Sequence, residues 1–236
     1  MKALAIVDLE ATNPDPATAA IVEVACCLWD VERRIVTSVY STTVYAAENP
    51  AQHINGIPAE ALVDAPAVNR AMASVGHFVE KADLIAAHNG DSFDRPVLEQ
   101  HACPWVDSKP WVDTMDFSWP RHSSSRSLIA LAAAHGVPIG TVHRAVDDVL
   151  LVARLLERAA ELGADIPAML DKAMRPKVLV AAVTPKPWEM AEEEWAALKG
   201  KLLEAGFRFD SAAKRWAKKM PVESIAELPF DARIVA

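Results

Sequence analysis

Residues 3–10, Ala3-Leu4-Ala5-Ile6-Val7-Asp8-Leu9-Glu10, decide how this sequence reads. Five apolar residues in a row, followed closely by the polar loop Asn13-Pro14-Asp15-Pro16, are too short for a helix and apolar on both faces. That pattern predicts a buried strand. Its end carries two carboxylates at i and i+2, which share one face and lie ~6–7 Å apart at the usual strand rise. Two acids so placed meet like-charge repulsion and desolvation, a penalty that a hard divalent cation removes. Taken alone, the pair is better explained as solvated carboxylates where a strand ends.

Outward from this strand, Ile21 to Trp29 and Arg34 to Val44 read as two more strands around a polar turn at Asp30 to Arg33, an antiparallel meander. Helical spacing then alternates with short apolar segments. Helices are expected over Pro66 to Lys81, Arg95 to His101, Ser127 to His135 (ended by Gly136) and Arg144 to Leu162 (ended by Gly163), with a strand at Leu84 to Ala87. The segment 164–176 reads as a linker with some helical character. Beyond it, Lys177 to Val183, Glu189 to Glu204, Gly206 to Asp210 and Lys214 to Lys219 form a β-α-β-β pattern too small to be very stable alone. The expected class is α/β: a main unit over 1–163, a linker over 164–176 and a small basic, aromatic α+β module over 177–236.

Composition narrows the classes of function. The chain is 236 residues long, 52% hydrophobic and 24% charged, a globular balance. No apolar run approaches the ~18–20 residues needed to cross a bilayer, and Asp8 and Glu10 interrupt the N-terminal apolar stretch before any signal-peptide core forms. A cytoplasmic protein without membrane association is expected. Cys26, Cys27 and Cys103 contain no CxxC pair; neighbours on a strand face opposite ways, so Cys26 and Cys27 read as packing residues. Neither GxGxxG nor GxxxxGK[ST] occurs, which argues against a nucleotide cofactor held in a glycine-rich loop. The charge is uneven: residues 1–171 hold 12 Lys and Arg against 23 Asp and Glu, whereas residues 172–236 hold 12 against 9. Such a tail can face nucleic acid, although its field is weak.

Two further clusters carry chemistry. In His88-Asn89-Gly90-Asp91-Ser92-Phe93-Asp94-Arg95-Pro96, Asp94 stands where a helix opens, a place an N-cap alone would explain. In His143-Arg144-Ala145-Val146-Asp147-Asp148, the second acid falls in the first turns of the long helix, where the macrodipole favours it. The histidine before it is the side chain suited to taking a proton near neutral pH.

Together these residues form an ordered set: DxE on the first strand, Asp at the start of a middle helix, HxxxxD on a late one. Over residues 3–162 the order and contexts resemble the DEDDh (DnaQ-like) 3′–5′ exonucleases of the RNase H-like superfamily. Thr12, Ile21-Val22-Glu23, Ile54-Asn55-Gly56-Ile57 and Ser127-Leu128 are further points of likeness. The stretch His88 to Leu98 is similar to TREX-type members, and Phe93-Asp94-Arg95 with His143-Arg144-Ala145 to bacterial exonuclease X-type members. Leu9 stands where many members have Thr, and Asn55 where many have His.

The resemblance implies an RNase H-like mixed sheet flanked by helices. It also implies a site in which Asp8, Glu10, Asp94 and Asp148 hold two divalent cations, Mg²⁺ or Mn²⁺, while His143 deprotonates the attacking water. The substrate implied is nucleic acid with a free 3′ end, single-stranded DNA or RNA, cut to nucleoside 5′-monophosphates. Leu9, Ile54 and Phe93 are apolar candidates for gripping the terminal nucleotide, with Thr12, Asn55, His88 and Asn89 as polar ones. An oligoribonuclease-like role, proofreading beside a separate polymerase, a homodimer and a non-catalytic nucleic-acid-binding module stay open. In the tail, Phe207-Arg208-Phe209 and Lys214-Arg215-Trp216-Ala217-Lys218-Lys219 interleave cations with aromatics, which suits single-strand binding but suits better a small hairpin whose aromatics fill its own core.

Overall fold

A computed structural model describes residues 3–123, 125–141 and 143–235; Met1, Lys2, Ser124, Val142 and Ala236 lie outside the described residues. The predicted first strand is β1 (Ala3–Ala11), longer than its apolar run because both acids continue it. It is followed by β2 (Ile21–Asp30), β3 (Ile35–Thr43), a one-turn α1 (Gln52–Asn55), α2 (Val68–Glu80), β4 (Leu84–Ala87), α3 (Asp94–Gln100) and β5 (Trp111–Asp113). Then come α4 (Leu128–His135), α5 (Ala145–Glu161), α6 (Ile166–Ala173), β6 (Lys177–Ala182), α7 (Glu192–Glu204), β7 (Arg208–Asp210), β8 (Arg215–Pro221) and β9 (Ala232–Ile234).

The main sheet runs β3-β2-β1-β4-β5. The first three strands form the expected antiparallel meander, and β4 and β5 add in parallel. Successive side chains alternate between two cores. Leu4, Ile6, Cys27, Trp29, Leu84 and Ala86 face α5. Ala5, Val7, Leu9, Cys26, Leu28 and Ile85 face α2 and α3. Cys26 and Cys27 are thus buried on opposite faces as packing residues, and burial lifts the Cys27 thiol to about 12. Helix α5 supplies Val149, Val152, Leu156 and Ala159 to the first core; at roughly 1.5–3 kcal/mol per fully buried aliphatic side chain, this seam dominates that face.

The segment 164–176 holds more than a tether. Asp165 caps α6 by accepting the Ala168 N–H at 3.0 Å, and Ile166, Met169, Leu170 and Ala173 join the same core as α5. The second sheet has the order β7-β8-β6-β9. The third β-strand of the expected pattern is present, and β9 completes the sheet beyond it. Phe207, Trp216, Val180, Leu202 and Met220 form the core of this sheet, so two of its aromatics do fill the interior. No described helix is long and apolar enough to cross a membrane.

Candidate active site

The alternation of β1 sets the first two acids. Leu4 and Ile6 point at α5, and Asp8 and Glu10 are the next two positions on that face. A register irregularity falls between Glu10 and Ala11, the kind of device that re-aims side chains at a strand end. Opposite Glu10 stands Glu23 of β2, 2% exposed. Arg144 donates to both its oxygens, Nη2 to Oε1 at 2.7 Å and Nε to Oε2 at 3.1 Å, and the Ala145 N–H donates to Oε2 at 2.9 Å. Glu23 therefore satisfies a free amide at the start of α5, whose own N-cap residue, Arg144, offers no side-chain cap.

That clamp fixes where α5 begins, and hence His143 just before it and Asp148 in its first turn. His143 is exposed with a left-handed φ of 60°, a conformation more open to histidine than to most residues. Glu10, His143 and Asp148 each place one ligand atom within 4.8 Å of the others. With Asp8 they line a cavity of about 320 Å³ that Asp147 does not reach; Oδ1 of Asp147 lies beside Gly140. Of the two adjacent acids, Asp148 is the one that lies with Glu10 and His143.

Asp94 arrives through the loop after β4. A Cβ on Gly90 would stand 2.4 Å from that of Ala87, so the turn closes only without a side chain. Asp113 at the end of β5 holds the loop: Oδ1 accepts the N–H of Asn89 (2.9 Å) and of Met115 (2.8 Å), and Oδ2 that of Asp91 (3.2 Å). The N-cap expectation for Asp94 is corrected. The cap position is Phe93, and Asp94 is the first helical residue, 3% exposed. Its Oδ1 has no hydrogen-bond partner among the described residues. A buried acceptor left unsatisfied costs about 1–3 kcal/mol, so this oxygen is placed for something the chain does not supply.

The electrostatics point the same way. Burial, then Asp94, Asp148 and Glu10, hold the Asp8 carboxyl well above its ordinary range. Burial, then Asp148, Glu23 and Asp94, lift Glu10 to about 8. Burial lifts Asp94 to about 7 against its own and the Leu9 backbone amides. Burial also lifts Asp148 to about 6 although His143 opposes it. Four oxygen donors that repel one another match the chemistry of a hard divalent cation, and the orphaned Asp94 oxygen fits that group.

The other candidates divide. Leu9, Ile54, Asn55 and Phe93 line one apolar cavity of about 240 Å³ beside the carboxylates, and Leu9 borders the carboxylate cavity too. Ile54 is 48% exposed, free to pack against a ligand. The Asn55 amide is engaged by the protein: Oδ1 accepts from Asn49 Nδ2 (2.9 Å) and from the Ile57 N–H (3.1 Å). Thr12 stands outside both cavities, its hydroxyl accepting the Ala20 N–H at 3.0 Å. His88 and Asn89 line the carboxylate cavity. Both ring nitrogens of His88 are used: Nε2 lies 2.9 Å from the Arg126 carbonyl and must donate, so Nδ1, 2.7 Å from Thr114 Oγ1, accepts. Burial lowers this imidazole to about 4, consistent with a neutral ring.

Sequence reasoning missed Asp113 and the clamp role of Glu23. The Asp113 signal was present: Trp111-Val112-Asp113 is an apolar pair closed by an acid, a short echo of β1. Ile129 on α4 also lines the site.

A family model described as Exonuclease, RNase T, matches residues 5–156. No curated protein matches the chain in sequence. Among solved structures, E. coli exonuclease I in complex with a dT13 oligonucleotide is 17% identical with a TM-score of 0.59, covering 78% of this chain and 49% of that one. A full-length 3′-exonuclease is 16% identical with a TM-score of 0.57, covering 75% and 86%. The nuclease domain of 3′hExo, a DEDDh family member bound to rAMP, is 16% identical with a TM-score of 0.56, covering 69% and 93%. These likenesses are of fold, and the chain spans about half the length of E. coli exonuclease I.

Proposed function

Because this chain belongs to the RNase T exonuclease family, we propose that it removes nucleotides one at a time from the 3′ end of single-stranded DNA, releasing nucleoside 5′-monophosphates. The observation that carries the reading is the convergence of Glu10, His143 and Asp148 within 4.8 Å, beside Asp8 and the buried Asp94. Asp8, Glu10, Asp94 and Asp148 would hold two divalent cations, Mg²⁺ or Mn²⁺, which would offset the repulsion among these clustered acids. When bound, such ions neutralise charge building on the phosphate and activate water for attack.

The chain's own residues do the rest. His143, exposed at the mouth of the site, accepts a proton from the attacking water. The water oxygen bonds to phosphorus, the P–O3′ bond breaks, and the departing 3′ oxygen takes up a proton from solvent, so the shortened strand leaves with a free 3′-hydroxyl. Leu9, Ile54 and Phe93 pack against the terminal base or sugar, contacts that tolerate any base. Two structural neighbours, bound to dT13 and to rAMP, support a single-stranded substrate and a nucleoside monophosphate product.

The test is incubation of 3′- and 5′-labelled DNA and RNA strands with Mg²⁺, then with chelator. Laddering from the 3′ end of DNA, abolished by chelation, is expected. His143→Ala should lower kcat at least ~10²-fold, the usual share of a general base. Near-normal turnover by purified His143→Ala protein would falsify the proton-accepting role, and laddering of RNA alone would overturn the choice of DNA.

A further inference from the structure

Alternation in the second sheet gathers cations on the face turned away from α7. Val178, Val180, Trp216 and Met220 turn to the side packed by Leu198 and Leu202 of α7. The registers Arg208↔Ala217, Leu179↔Lys219, Ala181↔Arg233 and Asp210↔Arg215 put Arg208, Arg215, Lys219 and Arg233 on the other side. Ala181 and Ala217 lie in the middle of that side, so the surface between the cations is low. Arg208, Lys219 and Arg233 form no ion pair with any described residue, and the Nε of Arg215 is buried without a hydrogen-bond partner. Asp210 spends a side-chain oxygen on the amides of Ala212 and Ala213.

This face continues into the catalytic half. A groove of about 550 Å³ runs between Asn89 and Ser92 on one bank and Arg208, Ala217 and Lys219 on the other. Asn89 is also a wall of the carboxylate cavity. The acids that border the groove are already occupied: Lys177 holds Asp91 at 3.0 Å and Asp116 at 2.5 Å, Arg95 holds Glu99 at 2.9 Å, and Asp113 holds backbone amides. Arg208 and Lys219 are thus the cations of the groove that no described carboxylate holds.

We propose that Arg208 and Lys219 bind backbone phosphates of the same single strand, on its 5′ side, after its 3′ end has entered the carboxylate site. The proposal rests on the nuclease reading for the identity of the strand. Recognition is by charge: Phe207 and Trp216 are buried, and Phe209, though half-exposed, turns to the opposite face against Trp216, so no stacking platform accompanies these cations on their own face, and the contacts tolerate any sequence.

The test uses the full chain in chelator, where no hydrolysis occurs, and reads anisotropy of a labelled 15-nucleotide oligo-dT across a salt series. The double variant Arg208→Ala, Lys219→Ala should bind about tenfold more weakly at low salt, with the log–log salt slope falling by about 1 to 1.5. Both side chains are exposed on the sheet surface, and an unchanged thermal melt verifies folding. Lys199→Ala, on exposed α7, should move neither quantity. A trinucleotide, with a single phosphate beyond the scissile one, should lose much less affinity in the variant than the 15-mer does. Unchanged affinity and slope in the double variant, or equal losses on trinucleotide and 15-mer, overturn the proposal. A loss seen only with blunt duplex overturns the single-stranded occupant. If the wild type hydrolyses no strand but the 15-mer effect appears, the nuclease reading fails and this surface stands.

Discussion

Glu23 shows how one side chain can set several others. Its buried carboxylate faces Glu10 across the sheet, yet it is held by Arg144 and the Ala145 amide, so it fixes both the start of α5 and the residue after His143. Glu23→Gln keeps the shape but removes the charge, leaving Arg144 with a weaker partner. The expected loss is about 1–3 kcal/mol in chemical denaturation, and kcat should fall with it while KM changes little, because His143 and Asp148 shift together. Gly90 acts through space rather than charge. Gly90→Ala would drive its Cβ to 2.4 Å from Ala87; the loop must yield and Asp94 with it, so a fall in activity larger than the ~1–3 kcal/mol stability loss of overpacking is expected in parallel melts and assays. At this scale the sequence offered Asp8, Glu10, Asp94, His143 and Asp148 as one ordered set, although each alone had an ordinary structural explanation, and the fold brings Glu10, His143 and Asp148 within 4.8 Å. The sequence did not show that His88 and Asn55 are spent on internal hydrogen bonds, because their partners Arg126 and Asn49 are set by tertiary approach.

Strand β1 is half core and half site on a single face: Leu4, Ile6, Asp8, Glu10. The apolar half anchors the acidic half, and α5 presses on both. Leu156, fully buried in the α5 seam, can be shortened to alanine at an expected cost of about 2–5 kcal/mol, measurable as a drop in denaturation midpoint. The long or strongly patterned elements were readable from spacing alone; β1 to β4, α2, α4 and α5 fall within a few residues of their expected bounds. Strands β5 and β9 have three residues each, too few for any periodicity to register. Helix α6 was blurred by its position after Gly163 and before Pro176, where turn residues mask an eight-residue helix.

Across the whole molecule, the clustered acids make stability depend on pH. Unfolded carboxylates titrate near 4, whereas burial and mutual repulsion place Asp148 at about 6, Asp94 at about 7 and Glu10 at about 8 in the fold. The native state therefore retains protons that the unfolded chain has lost. The stability linked to these groups is fully present below the unfolded value near 4 and is lost as pH rises from there through the folded values, by about 1.4 kcal/mol per pH unit for each proton retained. His88, lowered to about 4, works the other way below its unfolded value of about 6.5, so the clean window is pH 6.5 to 8. In chelator the melting temperature should fall across that window. Mg²⁺ should raise it more at pH 8 than at pH 6.5, and a flat profile in chelator would contradict the buried acid cluster.

Helix α6 bears on how this protein can be cut apart. Ile166, Met169 and Leu170 are bricks in the wall behind α5, although they stand past the glycine that ends it. A fragment stopped at Gly163 would carry an uncovered oily flank and clump on purification; one stopped after Met174 keeps that flank roofed and stays dispersed.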